Sequence, residues 1–428
     1  MTDTSAETPA TEVLTFGCRL NAYESEAIRE HAASGGLENV IIVNTCAVTA
    51  EAERQARQAI RRAKRQRPDA RVVVTGCAAQ IDPAPWAGMP EVDQVVGNLE
   101  KLEADRWTPV GLDADRIVVG DVMRARETAE HLISGFGGKA RAFVEIQQGC
   151  DHRCTFCIIP YGRGNSRSAP IGVIARQVQA LVDAGVAEVA FTGVDITSYG
   201  SDLPGTPTLG QMTRRVLAAV PGLQRLRLSS IDPAEVDEDL LALIADDPRI
   251  APHLHLSLQA GSDMILKRMK RRHLTADALS LVERVRAINP NVVFGADLIA
   301  GFPTETDAMF QDTMEHVRAL GLTWLHIFPY SPRPGTPAAR MPQVAKPVIK
   351  ARAAALRALG GEHASAFLAG QVGQVLQPIM ETETRGRTAQ FAEIDVAEPQ
   401  SIGAMPLVRV TNVKDGRLQG AVARSAAA

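Results

Sequence analysis

Short apolar runs recur through residues 142–328 with helix-like stretches between them, and this alternation constrains the fold more than any other feature of the chain. The runs 142–147, 188–192, 223–228, 254–258, 292–298 and 324–328 have the length and apolar content of buried parallel strands. Six such β/α units read as a parallel barrel that stops two units short of the eight a closed one needs. In that architecture the chemistry is expected at the carboxyl ends of the strands.

The first hundred residues repeat a different pattern three times. The apolar runs 13–16, 40–43 and 72–74 lead into Gly17-Cys18, Asn44-Thr45-Cys46 and Thr75-Gly76-Cys77, with helix-like segments such as 50–66 between them. An open parallel α/β domain is expected, and in such sheets ligands gather beyond the carboxyl ends of the strands. Three cysteines at equivalent strand ends can converge there as a metal site. The plainer alternative is three small buried hydrophobes, since free cysteine is among the most buried residue types.

Residues 345–368 are alanine-rich and helical in pattern and are expected to close the central domain. Beyond residue 370 the pattern turns to short alternating runs, 372–380, 388–396, 407–413 and 418–422, with Asp415-Gly416 as a hairpin turn. The expected organisation is α/β overall: an N-terminal α/β domain over 11–120, a partial barrel over 136–366 and a small β-domain over 369–428.

With 45% hydrophobic residues in 428, the chain has material for several buried cores. It has no apolar run of about 18 residues, and its start is polar and acidic, so neither a membrane span nor a secretory signal is expected and the cytoplasm is the expected location. The net charge of −3 means that any nucleic acid must be held by local basic patches.

The strongest chemical signal follows the first barrel strand: Gly149-Cys150-Asp151-His152-Arg153-Cys154-Thr155-Phe156-Cys157, a C-x3-C-x2-C spacing. Three thiolates on one short loop can ligate three irons of a cubane cluster and leave the fourth iron open to a substrate molecule. A structural zinc site with His152 as fourth ligand is the alternative, although structural zinc favours four closed ligands in paired spacings.

This loop, with Phe156 before its last cysteine and a partial β/α barrel around it, resembles the radical S-adenosylmethionine (SAM) superfamily. With Cys18, Cys46 and Cys77 added, the whole chain is similar to the methylthiotransferases. The similarity extends through Gln148-Gly149-Cys150, residues 158–164, residues 257–262, Asp297-Leu298-Ile299, Gly301-Phe302-Pro303 and residues 329–333. Thr304 departs from the family, which commonly has glycine there. The resemblance implies two 4Fe-4S clusters, one at Cys150, Cys154 and Cys157 that cleaves SAM and an auxiliary one at Cys18, Cys46 and Cys77, together with a C-terminal RNA-binding TRAM domain. It also implies SAM contacts at the strand ends, placed at Phe156, Thr192, Gly193, Asp195, Gln259, Asp297 and Gly301. Ordinary turn glycines at 193 and 301 and a helix cap at Asp195 are the plain alternatives.

Branches of this family act on adenosine beside the tRNA anticodon, carrying a threonylcarbamoyl or an isopentenyl group, or on an aspartate of a ribosomal protein. Residues 17–26 resemble the threonylcarbamoyladenosine branch most closely, with Arg19 and Leu20 in place of its usual lysine and valine. The implied partners are the anticodon arm of tRNA and a small flavodoxin- or ferredoxin-like electron donor. Basic runs at 61–67 and 267–272 and the residues Arg385, Arg387, Arg409 and Lys414 are candidates for phosphate contact. An iron-sulfur redox sensor or RNA scaffold is the non-enzymatic alternative, which the SAM-type loop in a barrel argues against.

Overall fold

The computed structural model describes residues 11–113, 115–126 and 140–423. The chain divides into two compact units, one built from residues up to 133 together with 147–153 and 157–167, the other from the remainder. The expected boundary at 136 and the last five residues lie outside the described residues.

The first unit is a five-stranded sheet whose strands β1 (Glu12–Thr15), β2 (Val40–Thr45), β3 (Arg71–Gly76), β4 (Gln94–Val96) and β5 (Ile117–Val118) lie side by side in chain order. Every pairing is parallel. Helices α1 (Arg19–Ser34) and α2 (Ala50–Gln66) make the crossovers, and α3 (Cys77–Ile81) follows β3. Along β2, successive side chains go to opposite faces and both faces are covered: Ile41 and Val43 pack with Ile60 of α2, Ile42 with Ile28 of α1 and Trp107. That double burial explains why β2 reads as a continuous apolar run rather than an alternating one. Helix α2 begins where the Thr49 hydroxyl accepts from Ala52 N, and it buries Ala56, Ile60 and Ala63 at helical spacing.

The second unit holds the barrel. Strands β6 (Arg141–Gln148), β7 (Arg167–Ser168), β8 (Glu188–Gly193) and β9 (Arg225–Leu228) form one sheet in the order β7-β6-β8-β9. Strands β10 (Ser230–Ile231), β11 (His253–Gln259), β12 (Val293–Ala300) and β13 (Trp324–Pro329) form another in chain order. Only Ser229 separates β9 from β10, so one extended run pairs with β8 and then with β11, and the sheets join there. The six expected strands are all present, each followed by a helix, and the last of these is the long Lys346–Gly370.

The C-terminal residues form a six-stranded sheet, β14 (Val375–Leu376), β15 (Ile379–Met380), β16 (Arg385–Arg387), β17 (Glu393–Val396), β18 (Val408–Lys414) and β19 (Arg417–Val422), in the order β14-β18-β19-β17-β16-β15. Asp415 and Gly416, both at positive φ, make the expected hairpin turn. The expected strand over 388–396 begins only at Glu393. Residues 388–392 form a tight loop instead, with Phe391 in the left-handed region at φ +75°.

That loop closes the barrel floor. The Phe391 ring stacks on His253 at 5.1 Å and 12°, with the guanidinium groups of Arg387, Arg227 and Arg141 at 4.6, 4.9 and 5.7 Å. Trp324 Nε1 donates to Gln390 O at 2.9 Å and Arg227 Nη2 to Thr388 O at 3.4 Å. Arg141, Glu188, Arg225, His253 and Trp324 are the opening residues of their strands, so the loop seals the end opposite the catalytic one.

Candidate active site

Strand register brings the dispersed cysteines together. Thr15 pairs with Asn44 and Thr45 with Gly76, so the three chains leave the sheet at nearly one level. The next residues carry sulfur: Cys18 at the N-cap of α1, Cys46 directly after β2, and Cys77 as the first residue of α3. Gly17, at φ +96°, passes so near the second cysteine that a Cβ there would lie 2.5 Å from Cys46 Cβ and 2.7 Å from its Sγ. Only glycine allows that approach. All three cysteines are free thiols; Cys46 and Cys77 are buried and Cys18 is exposed. Burial, reinforced by the neighbouring Cys77, pushes the Cys46 thiol up to about 12, so a metal binding there must displace a tightly held proton.

A buried charge network adjoins Cys77. Arg163, on the helical turn Ile159–Arg163, donates from Nε to Cys77 Sγ at 3.0 Å and from Nη2 to Glu24 Oε2 at 2.9 Å, and it also bonds Asn21 and the other Glu24 oxygen. Lys101 Nζ reaches Glu24 Oε2 at 2.7 Å and Gln148 Nε2 reaches Oε1 at 3.1 Å. Asn21 Nδ2 in turn donates to Phe16 O and Thr45 O, at 2.7 and 2.9 Å, which ties the network to the first two cysteine-bearing turns. Burial works to raise Glu24, yet Arg163 and Lys101 hold it down to about 2. Two buried cations share one carboxylate, which leaves a positive charge without a carboxylate partner in the interior. The sulfur of Cys77 is the neighbouring group able to supply the missing negative charge, and this suits a thiolate-ligated metal. Asn21, Glu24 and Arg163 lie inside stretches that carry the family resemblance; Lys101 has no such signal.

The 150–157 loop is anchored from both ends. Gly149, at φ +69°, has no room for a Cβ against the Asn165 and Gly164 carbonyls, and Cys150 N donates to Gly164 O at 3.1 Å. Farther along, Thr155 bonds Met269 O through its N at 3.0 Å and Arg268 O through its hydroxyl at 2.8 Å. Arg271 Nη1 stands 3.7 Å from Cys154 Sγ, fixed by Asp232 and Ser257 O at 2.7 Å each. Phe156 meets Phe302 edge-on at 6.3 Å within an apolar cluster that includes Ala260, Ile265, Met269 and Tyr330.

The expected SAM contacts fall at the carboxyl ends of strands. Thr192 and Gly193 end β8, and Asp195 follows, accepting from the hydroxyls Ser198 Oγ at 2.9 Å and Thr197 Oγ1 at 3.1 Å rather than capping the next turn through a backbone N–H. Gln259 ends β11 at φ +68°. Gly301, at φ +74°, is sterically required, because a Cβ would lie 2.5 Å from Ile349 Cγ1. Thr304 also occupies the left-handed region, at φ +67°, which accounts for the family's glycine there. Its carbonyl and hydroxyl accept from Arg268 Nη1 at 3.1 and 2.9 Å.

Residues 144–317 match the model of the radical SAM superfamily, and residues 11–97 that of uncharacterized protein family UPF0004. The chain is 51% identical over 408 residues to threonylcarbamoyladenosine tRNA methylthiotransferase MtaB of Rickettsia prowazekii (strain Madrid E), a match covering 95% of this chain and 96% of the relative. The chain belongs to the threonylcarbamoyladenosine tRNA methylthiotransferase family. It is 34% identical to tRNA-2-methylthio-N(6)-dimethylallyladenosine synthase of Cereibacter sphaeroides (strain ATCC 17025 / ATH 2.4.3), covering 94% and 96% of the two chains. Its fold is similar to that of the radical SAM methyltransferase TsrM from Kitasatospora setae, with a TM-score of 0.54 at 18% identity, over 73% of this chain and 66% of that one.

In this methylthiotransferase the two basic runs have different fates. On α2, Arg61 approaches Glu91 at 3.9 Å and Lys64 donates to Ala70 O at 2.7 Å, while Arg62 and Arg65 are exposed and take no partner among the described residues. The run 267–272 is largely consumed inside the fold: Arg268 holds Thr304, Arg271 holds Asp232, and Arg272 pairs with Glu235. Arg387 likewise packs against Phe391 and pairs with Glu381 and Glu393. Arg385 pairs with Asp395, and Arg409 donates to Gly373 O, while Lys414 ends β18 exposed.

Proposed function

We propose that this protein adds a methylthio group to C2 of N6-threonylcarbamoyladenosine next to the tRNA anticodon, by radical SAM chemistry. The observation that carries the reading is the near-complete match to a threonylcarbamoyladenosine tRNA methylthiotransferase, with all six cysteines set at strand ends or on the loop after the first barrel strand. Cys150, Cys154 and Cys157 would hold the SAM-cleaving 4Fe-4S cluster, and Cys18, Cys46 and Cys77 an auxiliary one. Bound there, the clusters and SAM supply the radical that removes a hydrogen from an unactivated carbon, and the sulfur and methyl that replace it.

The chain's own residues orient and shield this chemistry. Three loop thiolates would hold the cluster and leave one position for SAM, and the Arg271 guanidinium beside Cys154 would offset the negative charge of a ligating thiolate. Phe156, Phe302 and Tyr330 give the strand ends an apolar lining that excludes water from a reactive radical. Thr192, Gly193, Asp195, Gln259 and Gly301 are the SAM contacts we favour. Arg163 and Asn98 donate toward Cys77, as outer hydrogen bonds to a cluster ligand do. We assign 11–120 to the auxiliary-cluster domain, 136–366 to the radical SAM core and 369–428 to a TRAM-like domain, which with Arg62 and Arg65 would meet the anticodon arm. A small flavodoxin- or ferredoxin-like protein would supply the electron, in the cytoplasm. Among the described residues no helix is long and apolar enough to cross a membrane.

Anaerobic reconstitution tests the division of labour. Cys46→Ala should retain about half the iron and still yield 5'-deoxyadenosine from SAM while forming no methylthio product. Loss of SAM cleavage in that variant, or unimpaired insertion, would refute the assignment.

A further inference from the structure

The inner wall of the barrel carries a polar cluster that neither cysteine set uses. Along β11 the buried Leu254, Leu256 and Leu258 alternate with His253, His255 and Ser257, which share the opposite face. Register carries that face across the sheet: His255 pairs with Gly295, and Asp297 with His326. The absence of a side chain at Gly295 gives the His255 ring its place, since a Cβ there would lie 2.6 Å from Nδ1. Both imidazoles then converge on one oxygen, His255 Nε2 at 2.9 Å and His326 Nδ1 at 3.2 Å from Asp297 Oδ1, with ring centroids 4.6 Å apart. Burial opposes the charge on Asp297, but the two imidazoles hold its carboxyl well below the usual range, so it stays ionised.

The side of the cluster away from that oxygen is unspent. Asp297 Oδ2 and His326 Nε2 take no further hydrogen bond among the described residues, and the side chains of Asp297 and His326 are 23% and 51% exposed. Directly below, His253 lies on the Phe391 ring, so the cluster stands one residue pair above the sealed floor. A group entering the lumen from the catalytic end meets this wall before the floor. A network with its internal bonds made and its outer donor and acceptor open is suited to a polar ligand, and burying those atoms against an apolar group would leave them unsatisfied.

We infer that His326 and Asp297, with His255 as their support, form the subsite that reads the N6-threonylcarbamoyl substituent of the target adenosine. The inference rests on the threonylcarbamoyladenosine reading above. That substituent carries a ureido N–H, a hydroxyl and a carboxylate, so it can donate to Asp297 Oδ2 and bond His326 Nε2. An isopentenyl group offers neither, and a site with buried polar atoms left unpaired rejects such an analogue. Asp297, with one oxygen committed to two imidazoles, thereby belongs to the substrate wall rather than to the SAM contacts.

The test uses the cluster-reconstituted full chain and anticodon-stem hairpins that carry threonylcarbamoyladenosine or plain adenosine at the target position. The readout is the ratio of the two dissociation constants for the parent, His326→Phe, His326→Gln and Asp297→Asn, with thermal melting as the check on folding. The parent should prefer the modified hairpin, and the ratio should fall about tenfold in His326→Phe and Asp297→Asn, the equivalent of roughly one good hydrogen bond, with partial recovery in His326→Gln. An unchanged ratio overturns the inference, as does an equal loss for both hairpins. The same atoms lie near enough together to hold a divalent ion. Stoichiometric zinc or non-cluster iron in the parent that Asp297→Asn abolishes would therefore also overturn it. If the parent fails to methylthiolate the modified hairpin, the parent reading fails instead.

Discussion

Replacing Glu24 by Gln keeps the side-chain shape but removes the one carboxylate that Arg163 and Lys101 share. Lys101 is fully buried and Arg163 nearly so, with 0% and 2% of their side chains exposed. Removing one partner of a buried ion pair costs about 3–5 kcal/mol, because the surviving charge stays in the interior. For a unit of this size that corresponds to roughly 10–15 °C in Tm. Trp86 and Trp107 are buried in the first unit, and Trp107 Nε1 donates to Lys101 O at 2.7 Å, so their fluorescence reports on this network. On a Trp324→Phe background, urea unfolding followed by tryptophan emission should show the loss directly. Adding Lys101→Met should restore part of it, since the remaining cation then has the Cys77 sulfur beside it. A Glu24→Gln variant within about 1 kcal/mol of its parent, or a double variant no better than the single, would refute the electrostatic account.

Three further outcomes are expected. Glu24 and Glu188 are both held near 2 instead of the ordinary 4.5, against burial, by Arg163 with Lys101 and by Arg227 with Arg141 and Arg225. Below 4.5 the unfolded chain therefore binds protons that the folded chain refuses; the stabilisation is complete above that pH and fades as the pH falls toward 2, which acid-titrated circular dichroism should follow. Phe391→Ala should cost about 3 kcal/mol by emptying the space under His253, the low end for a phenylalanine because the ring is only partly buried, and limited proteolysis should then cut the chain beyond residue 371 faster than in the parent. Thr304→Gly relieves a left-handed β-branched residue worth about 1–2 kcal/mol but gives up both hydrogen bonds of the hydroxyl, accepted from Arg268 Nη1 and donated to Pro303 O and together worth about 2–4 kcal/mol, so a small net fall in Tm is expected, and a rise would contradict that balance.

The strands and cysteines were legible because they depend on local pattern. Each apolar run has strand length, and each cysteine of the first sheet follows its strand by one to three residues, so parallel register brings the sulfurs to one end of the sheet. The supporting residues were not legible. Glu24 and Arg163 are 139 residues apart and Glu24 and Lys101 are 77 apart, and no periodicity connects them. The 267–272 run reads as an RNA-facing patch by charge, yet Arg268 and Arg271 turn inward because a left-handed backbone at Thr304 and a carboxylate at Asp232 await them. Phe391 sits in a stretch with a strand-like pattern, and its packing against a histidine of another strand turns it into a loop. Thr304 is the converse case: its departure from the family's glycine was visible in the sequence, and the backbone places it in the left-handed region at φ +67°.

The central claim is tested most directly by mass spectrometry of tRNA nucleosides from cells whose only copy of this protein is intact or carries Cys154→Ala. The account predicts that 2-methylthio-N6-threonylcarbamoyladenosine disappears in the variant while N6-threonylcarbamoyladenosine accumulates and the isopentenyl-derived nucleosides are unchanged. Undiminished methylthio-threonylcarbamoyladenosine in the variant would contradict it.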